Sequence, residues 1–187
     1  MNPALASTAT AITAEGERFL RLVPSRDDFK PDVAFRDIMP LLADAAALRY
    51  ARHQLVEWAA PLRPDYVAAV DARGFILGSV LASDLGCGLL TVRKAGKLPG
   101  PLASTTFSGE YATDTLQMRT DLLPAGARVL VHDDMLATGN CLRATAELVR
   151  NRGGEVVGLC SLIEKAFLDG RSQIVGYPFR SVFQYHV

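Results

Sequence analysis

The stretch VLVHDDMLATGN (residues 129–140) sets two carboxylates, Asp133 and Asp134, after an apolar run and ahead of a loop of small residues. An ionised carboxylate only accepts hydrogen bonds, so the adjacent hydroxyls of a sugar are suitable donors to the pair. The loop then runs into helical spacing. A helix N-terminus offers unpaired amides and a favourable dipole to an anion. One strand-loop-helix can thus hold a ribose 5-phosphate, with hydroxyls on the aspartates and phosphate on the loop. Two plainer readings compete with this one: a metal site, and an acidic pair that merely caps the helix. The apolar strand before the pair and the small residues after it favour the sugar phosphate.

Such a site needs a scaffold. Open parallel sheets place ligands at the carboxyl ends of their strands. YVAAV (66–70) reads as a buried strand, DARG turns it, FILGSVLASDLG forms a helix that ends at Gly86, and LLTV (89–92) is a second strand. This is a βαβ unit, which implies parallel strands. RVLVH (128–132) is a third strand, so the aspartates are expected just beyond its end. The following helix starts near Gly139, carries Leu142, Thr145, Ala146 and Val149 at helical spacing, and stops at RGG. EVVGLCSLI (155–163) is a fourth strand, and YPFRSVFQYHV closes the chain as an edge strand.

Upstream, AEGERFLRLV (14–23) predicts a helix stopped by Pro24, followed by a proline-bearing connection. DAAALRYARHQLVEWAAPL predicts a long amphipathic helix capped by Asp44, with Leu48, Leu55, Trp58 and Leu62 inward. RKAGKLPGP reads as a basic, glycine-bearing loop, and residues 103–118 as a hairpin with a mobile tip. The expected fold is a single α/β domain over residues 13–187, a mostly parallel twisted sheet flanked by helices. Residues 1–12 are expected to fray.

The 187 residues suit one domain, and 20 basic residues balance 20 acidic ones. That balance gives no overall basic footprint for nucleic acid or an anionic membrane. No apolar run approaches a membrane span, and the start lacks the pattern of a secretory signal. Cys87, Cys141 and Cys160 form no close pair, which fits a reducing, cytoplasmic setting. Cys87 and Cys160 read as buried packing residues, and His132 as a satisfied histidine near the core.

VLVHDDMLATGNC resembles the phosphoribosyl-pyrophosphate-binding motif of the type I phosphoribosyltransferases. FRDIMPLL, DARGF, RKAGKLPGP and GEY occur in the order seen in the adenine branch of that family, and the resemblance covers roughly residues 20–187. It implies the type I phosphoribosyltransferase fold, with a hood-like N-terminal segment and a mobile hairpin. The implied activity transfers a 5-phosphoribosyl group from phosphoribosyl pyrophosphate to adenine, giving AMP and pyrophosphate. By the same resemblance Asp133 and Asp134 hold the ribose hydroxyls, and Ala137, Thr138, Gly139, Asn140 and Cys141 cradle the 5-phosphate. Arg73, Arg93, Lys94 and Lys97 are then expected on the pyrophosphate. Phe35, Arg36 and Lys165 are expected on the purine. Glu110 is the expected acid that manages the purine's proton. Mg²⁺ is implied as a companion of the donor, with no assigned protein ligand. A homodimer is implied too, in which the basic loop 93–101 reaches the neighbouring site.

Two departures stand out. The family usually reads Ala-Thr-Gly-Gly-Thr in the phosphate loop, where this chain has Asn140 and Cys141 in the last two places. A thiol is a poor donor, and losing one hydrogen bond to a charged group costs about 1.5–3 kcal/mol, so weakened donor binding is expected. Lys165 stands where the adenine branch has an apolar side chain. It keeps open a different purine, such as xanthine, hypoxanthine or guanine. A non-catalytic regulator that binds phosphoribosyl pyrophosphate is the remaining alternative.

Overall fold

A computed structural model describes residues 13–26, 35–108 and 113–186; the expected frayed start, residues 1–12, lies outside the described residues. The strands are β1 (Tyr66–Val70), β2 (Gly88–Lys94), β3 (Leu102–Ser108), β4 (Thr113–Arg119), β5 (Arg128–Leu136), β6 (Glu155–Lys165) and β7 (Phe179–Tyr185). They form one sheet in the order β3-β4-β2-β1-β5-β6-β7. Strands β2, β1, β5, β6 and β7 run parallel. The expected hairpin is β3–β4, which joins antiparallel to β2 through β4. The closing segment is the parallel edge strand β7, as its sequence indicates.

The helices are α1 (Ala14–Leu20), α2 (Met39–Ala43), α3 (Ala45–Ala59), α4 (Gly74–Leu85) and α5 (Asn140–Asn151). Both faces of the central strands are covered, as a parallel sheet requires. Val67, Ala69 and Leu130 pack with Leu55, Leu77 and Leu81 of α3 and α4. Ala68, Val70, Val129 and Val131 alternate to the other face, where Leu142, Ala146 and Val149 of α5 meet them. At Gly78 an added Cβ would lie 2.5 Å from the Cβ of Ala69. The missing side chain is what lets α4 rest on β1.

Three local readings shift. Helix α1 stops at Leu20, because the chain turns there to bury Val23 and then pairs Ser25 with Arg36. Asp44 caps α3 as expected, its Oδ1 accepting from the amides of Ala46 (2.9 Å) and Ala47 (2.8 Å). The buried stripe of α3, however, is Ala47, Ala51, Leu55 and Ala59, with Leu48 and Trp58 half-buried beside it. Small residues bring the helix closer to its neighbours than bulky ones could. The short helix α2, with Pro40 in its first turn, arises within what reads from sequence as a plain connection.

Candidate active site

A cleft of about 240 Å³ opens at the carboxyl ends of β1 and β5. There the topology divides: β1 leads through α4 to β2, and β5 leads through α5 to β6 on the opposite side. Such a switch point is where open α/β sheets bind ligands.

Asp133 and Asp134 both line the cleft, each only 8% exposed. They do not follow the strand, as expected, but lie inside it. Asp133 pairs with Ser161, Met135 with Ile163 and Leu136 with Glu164, so the longer β6 extends β5 past His132. Oδ1 of Asp133 accepts from the Asp134 amide at 2.8 Å. Arg73 places Nη2 2.9 Å from Oδ2 of Asp134. Gly74 makes that approach possible, since a Cβ there would sit 3.1 Å from Oδ1 of Asp133 and 3.3 Å from the His132 carbonyl. The space that Gly74 leaves is taken up by strand β5.

Burial pushes both carboxyls above the usual range. For Asp133 the charge of Asp134 adds to that push and carries it well above, while Arg73 and Lys165 restrain the rise at Asp134. The Arg73 guanidinium at 2.9 Å favours the ionised form of Asp134. Burial and the neighbouring Asp133 also hold the Cys141 thiol protonated. The thiol donates to Oδ2 of Asp133 at 3.2 Å. The cysteine that replaces the usual threonine of the resembled motif thus leans on Asp133.

Ala137, Thr138, Gly139 and Cys141 form the loop wall of the cleft. Gly139 has φ +83°, a conformation that favours glycine. It precedes α5, whose first turn has no side-chain cap on its amides. Asn140 does not line the cleft; its Nδ2 donates to the Ser108 carbonyl at 2.9 Å. It ties α5 to the end of β3.

Phe35, Arg36 and Lys165 line the same cleft. The Arg73 guanidinium lies 5.4 Å from the Phe35 ring centre, and that of Arg36 lies 4.1 Å from the Tyr185 ring. Residues 35–37 are held in place by backbone bonds from Arg26 to Phe35 (2.8 Å) and from Asp37 to Pro24 (3.0 Å). Lys165 is 1% exposed, deeper than a surface lysine with its head in water.

The four basic residues separate. Arg73 and Lys94 line the cleft, with Lys94 Nζ 2.8 Å from Oδ2 of Asp114. Arg93 and Lys97 instead lie on Asp71, at 3.1 and 3.6 Å. Arg93 and Lys94 belong to β2 rather than to a loop. Glu110 lies outside the described residues. Sequence reading missed Asp71, Asp114 and Tyr185, whose partners are distant in the chain. The Asp in VDARG was the one visible signal, a carboxylate directly after a buried strand.

His132 is fully buried, with Nδ1 3.4 Å from Cys160 Sγ, and burial lowers its pKa to about 4. It lies in the core and does not line the cleft, but it is not fully satisfied as expected, because its Nε2 has no hydrogen-bond partner. Cys160 is buried too, whereas Cys87 is only partly so. Among the described residues no group of three or more His, Cys, Asp or Glu could hold a metal.

The phosphoribosyl transferase domain family matches residues 34–175. The adenine phosphoribosyltransferase of Desulfitobacterium hafniense is 42% identical over 170 residues, covering 90% of this chain and 96% of the relative. That of a Synechococcus species is 50% identical over 155 residues, covering 82% and 87%. The crystal structure of the Giardia lamblia enzyme, complexed with 9-deazaadenine, superposes with a TM-score of 0.88 at 32% identity, covering 92% of this chain and 98% of that one. With these matches beside the cleft that joins the carboxylate pair to the glycine loop before α5, the chain is a member of the phosphoribosyltransferase family, in its adenine branch.

Proposed function

We infer that this enzyme transfers the 5-phosphoribosyl group from phosphoribosyl pyrophosphate to adenine, releasing AMP and pyrophosphate in purine salvage. The observation that carries this reading is one cleft that joins the Asp133–Asp134 pair, the 137–141 loop and the Phe35–Arg36–Lys165 wall.

In this reading the ribose hydroxyls donate to Asp133 and Asp134, and the 5-phosphate takes the loop amides at the start of α5. The bond from C1 to the pyrophosphate oxygen breaks as a ring nitrogen of adenine closes on C1. Positive charge develops on the ribose, and fixed carboxylates beside it stabilise that charge without reorganising. Arg73 and Lys94 take up charge on the departing pyrophosphate. Glu110, by its place in the family motif, receives the proton that the purine sheds. The carboxylate oxygens of Asp133 and Asp134 fit Mg²⁺, which favours one or two carboxylates together with substrate phosphates over an all-protein cage. When bound, Mg²⁺ would neutralise pyrophosphate charge.

A homodimer accompanies this reading, with the basic stretch 93–101 serving the neighbouring subunit. Within one chain Arg93 and Lys97 do not line the cleft themselves but are engaged by Asp71, which does. Sedimentation should give twice the 20.2 kDa chain mass. A cytoplasmic setting fits the free cysteines. Among the described residues no helix is long and apolar enough to cross a membrane.

The test is pyrophosphate release with adenine, hypoxanthine, guanine and xanthine in turn. Adenine should be the preferred acceptor, and Asp134→Asn should cut kcat/KM about 10²- to 10³-fold. Turnover confined to an oxopurine would overturn the assignment, as would binding of the donor with no turnover at all.

A further inference from the structure

Glu164 and Arg171 lie outside the cleft lining and form a bidentate ion pair beside it, the carboxylate buried and the guanidinium partly exposed. Glu164 is 4% exposed and sits on β6, one residue before Lys165. Arg171 grips both its oxygens, Nε to Oε1 at 2.6 Å and Nη2 to Oε2 at 2.7 Å. Ser181 and Gln184 of β7 donate to Oε2 at 2.8 and 2.9 Å. Burial pushes the Glu164 carboxyl up, but Arg171 and Ser181 more than offset this and hold it below its usual range. Arg171 also lies over Phe179, 5.1 Å from its ring centre. The arginine is thus fixed from several sides.

The turn that carries Arg171 underlies the phosphate loop. Gly170 is buried, and a Cβ on it would stand 2.2 Å from the Ala137 carbonyl oxygen and 3.0 Å from the Gly139 amide nitrogen. Conversely, a Cβ on Gly139 would stand 2.2 Å from the Gly170 carbonyl oxygen. Two glycines place bare backbone against bare backbone, so any shift of the turn passes directly to residues 137–139. We propose that Glu164 and Arg171 are positioning residues for the donor's 5-phosphate: the bidentate pair fixes the Gly170 turn, and that turn sets the loop.

The proposal rests on the reading of residues 137–141 as the phosphate site. It predicts a selective defect, because Arg171 acts on the loop and not on the Phe35–Arg36 wall. Ribose 5-phosphate and adenine would be titrated separately, by calorimetry, into the full chain. Arg171→Ala should weaken ribose 5-phosphate about ten- to a hundredfold, the scale of a small misplacement far from the chemistry. Adenine affinity should stay within about twofold of wild type. Arg171→Lys, which keeps charge but loses the fork, should fall between. Gly170→Ala keeps both charged side chains and should show the same selective loss by displacing the turn against residues 137–139, so it carries the test if Arg171→Ala fails to fold. Unchanged ribose 5-phosphate binding in Arg171→Ala or Gly170→Ala would overturn the proposal. A parallel loss of both ligands in the folded variants would do so too. Wild-type protein that does not bind ribose 5-phosphate would instead overturn the phosphate-site reading itself.

Discussion

At the scale of single residues the cleft holds charge that folding does not favour. Asp133 has its carboxyl pushed well above the usual range by burial and by the charge of Asp134. A raised carboxyl pKa means that the folded state prefers the protonated form. The ionised group therefore costs stability above its unfolded pKa, and the cost grows as pH rises. Asp133→Asn should raise the melting temperature at pH 7 by a few degrees, about 2–4 °C for each kcal/mol regained, while abolishing most turnover. Calorimetric melting beside a pyrophosphate assay would read both effects. His132 has the opposite sign. Its folded pKa of about 4 lies below the ordinary histidine value of 6.5. Its contribution is complete above 6.5 and is lost as pH falls toward 4, at about 1.4 kcal/mol per pH unit. In His132→Leu that slope disappears. Denaturant unfolding at several pH values should show the variant gaining on wild type as the buffer is acidified from 7 to 4.5. A constant difference would remove His132 from the acid response.

At the scale of elements, close packing of α4 on β1 and β5 decides where Arg73 points. Gly78 and Gly74 are the two contacts that allow it. Alanine is a better helix former than glycine by about 1 kcal/mol, so propensity alone predicts that Gly78→Ala stabilises. The added methyl would stand 2.5 Å from the Ala69 Cβ, which is attached to a central strand and has no rotamer to change. Overpacking costs about 1–3 kcal/mol and outweighs the propensity gain. Gly78→Ala should lower the midpoint of chemical unfolding, and a higher midpoint would show that α4 can lift without penalty. The same elements show what a sequence pattern conveys. The βαβ runs, the hairpin and the closing strand are legible from alternation and glycine positions. The ends of β2, β5 and β6 are not, because ladder partners from other strands extend them through charged residues.

At the scale of the whole molecule, the N-terminal segment around Leu20, Val23 and Arg36 is fastened by the last strand. The Tyr185 hydroxyl lies 2.9 Å from the Leu20 carbonyl and 3.0 Å from that of Val23, and its ring lies beneath Arg36. Burial raises its pKa to about 12, so it remains a donor. Tyr185→Phe keeps the ring and removes the bonds. It should cost about 1 kcal/mol of stability. It should also raise KM for adenine more than KM for the donor, since Phe35 and Arg36 are anchored through residues 24–26. Equal changes in the two KM values would detach the tyrosine from the purine wall.

The sequence by itself determined the α/β class, the order of the strands along the chain and the carboxylate-loop-helix at 133–141, because each is carried by residues adjacent in the chain. Through the likeness of its ordered motifs it also named Phe35, Arg36 and Lys165. Only the tertiary structure decided that Arg73 meets Asp134, that Asp71 at the cleft holds Arg93 and Lys97, that Cys141 serves Asp133, and that Glu164 and Arg171 sit behind the 137–139 loop. These are pairings between groups on different elements. Charge and residue type limit which partners are chemically suitable. The sheet order and the close approach of helices at glycines determine which of them come within reach.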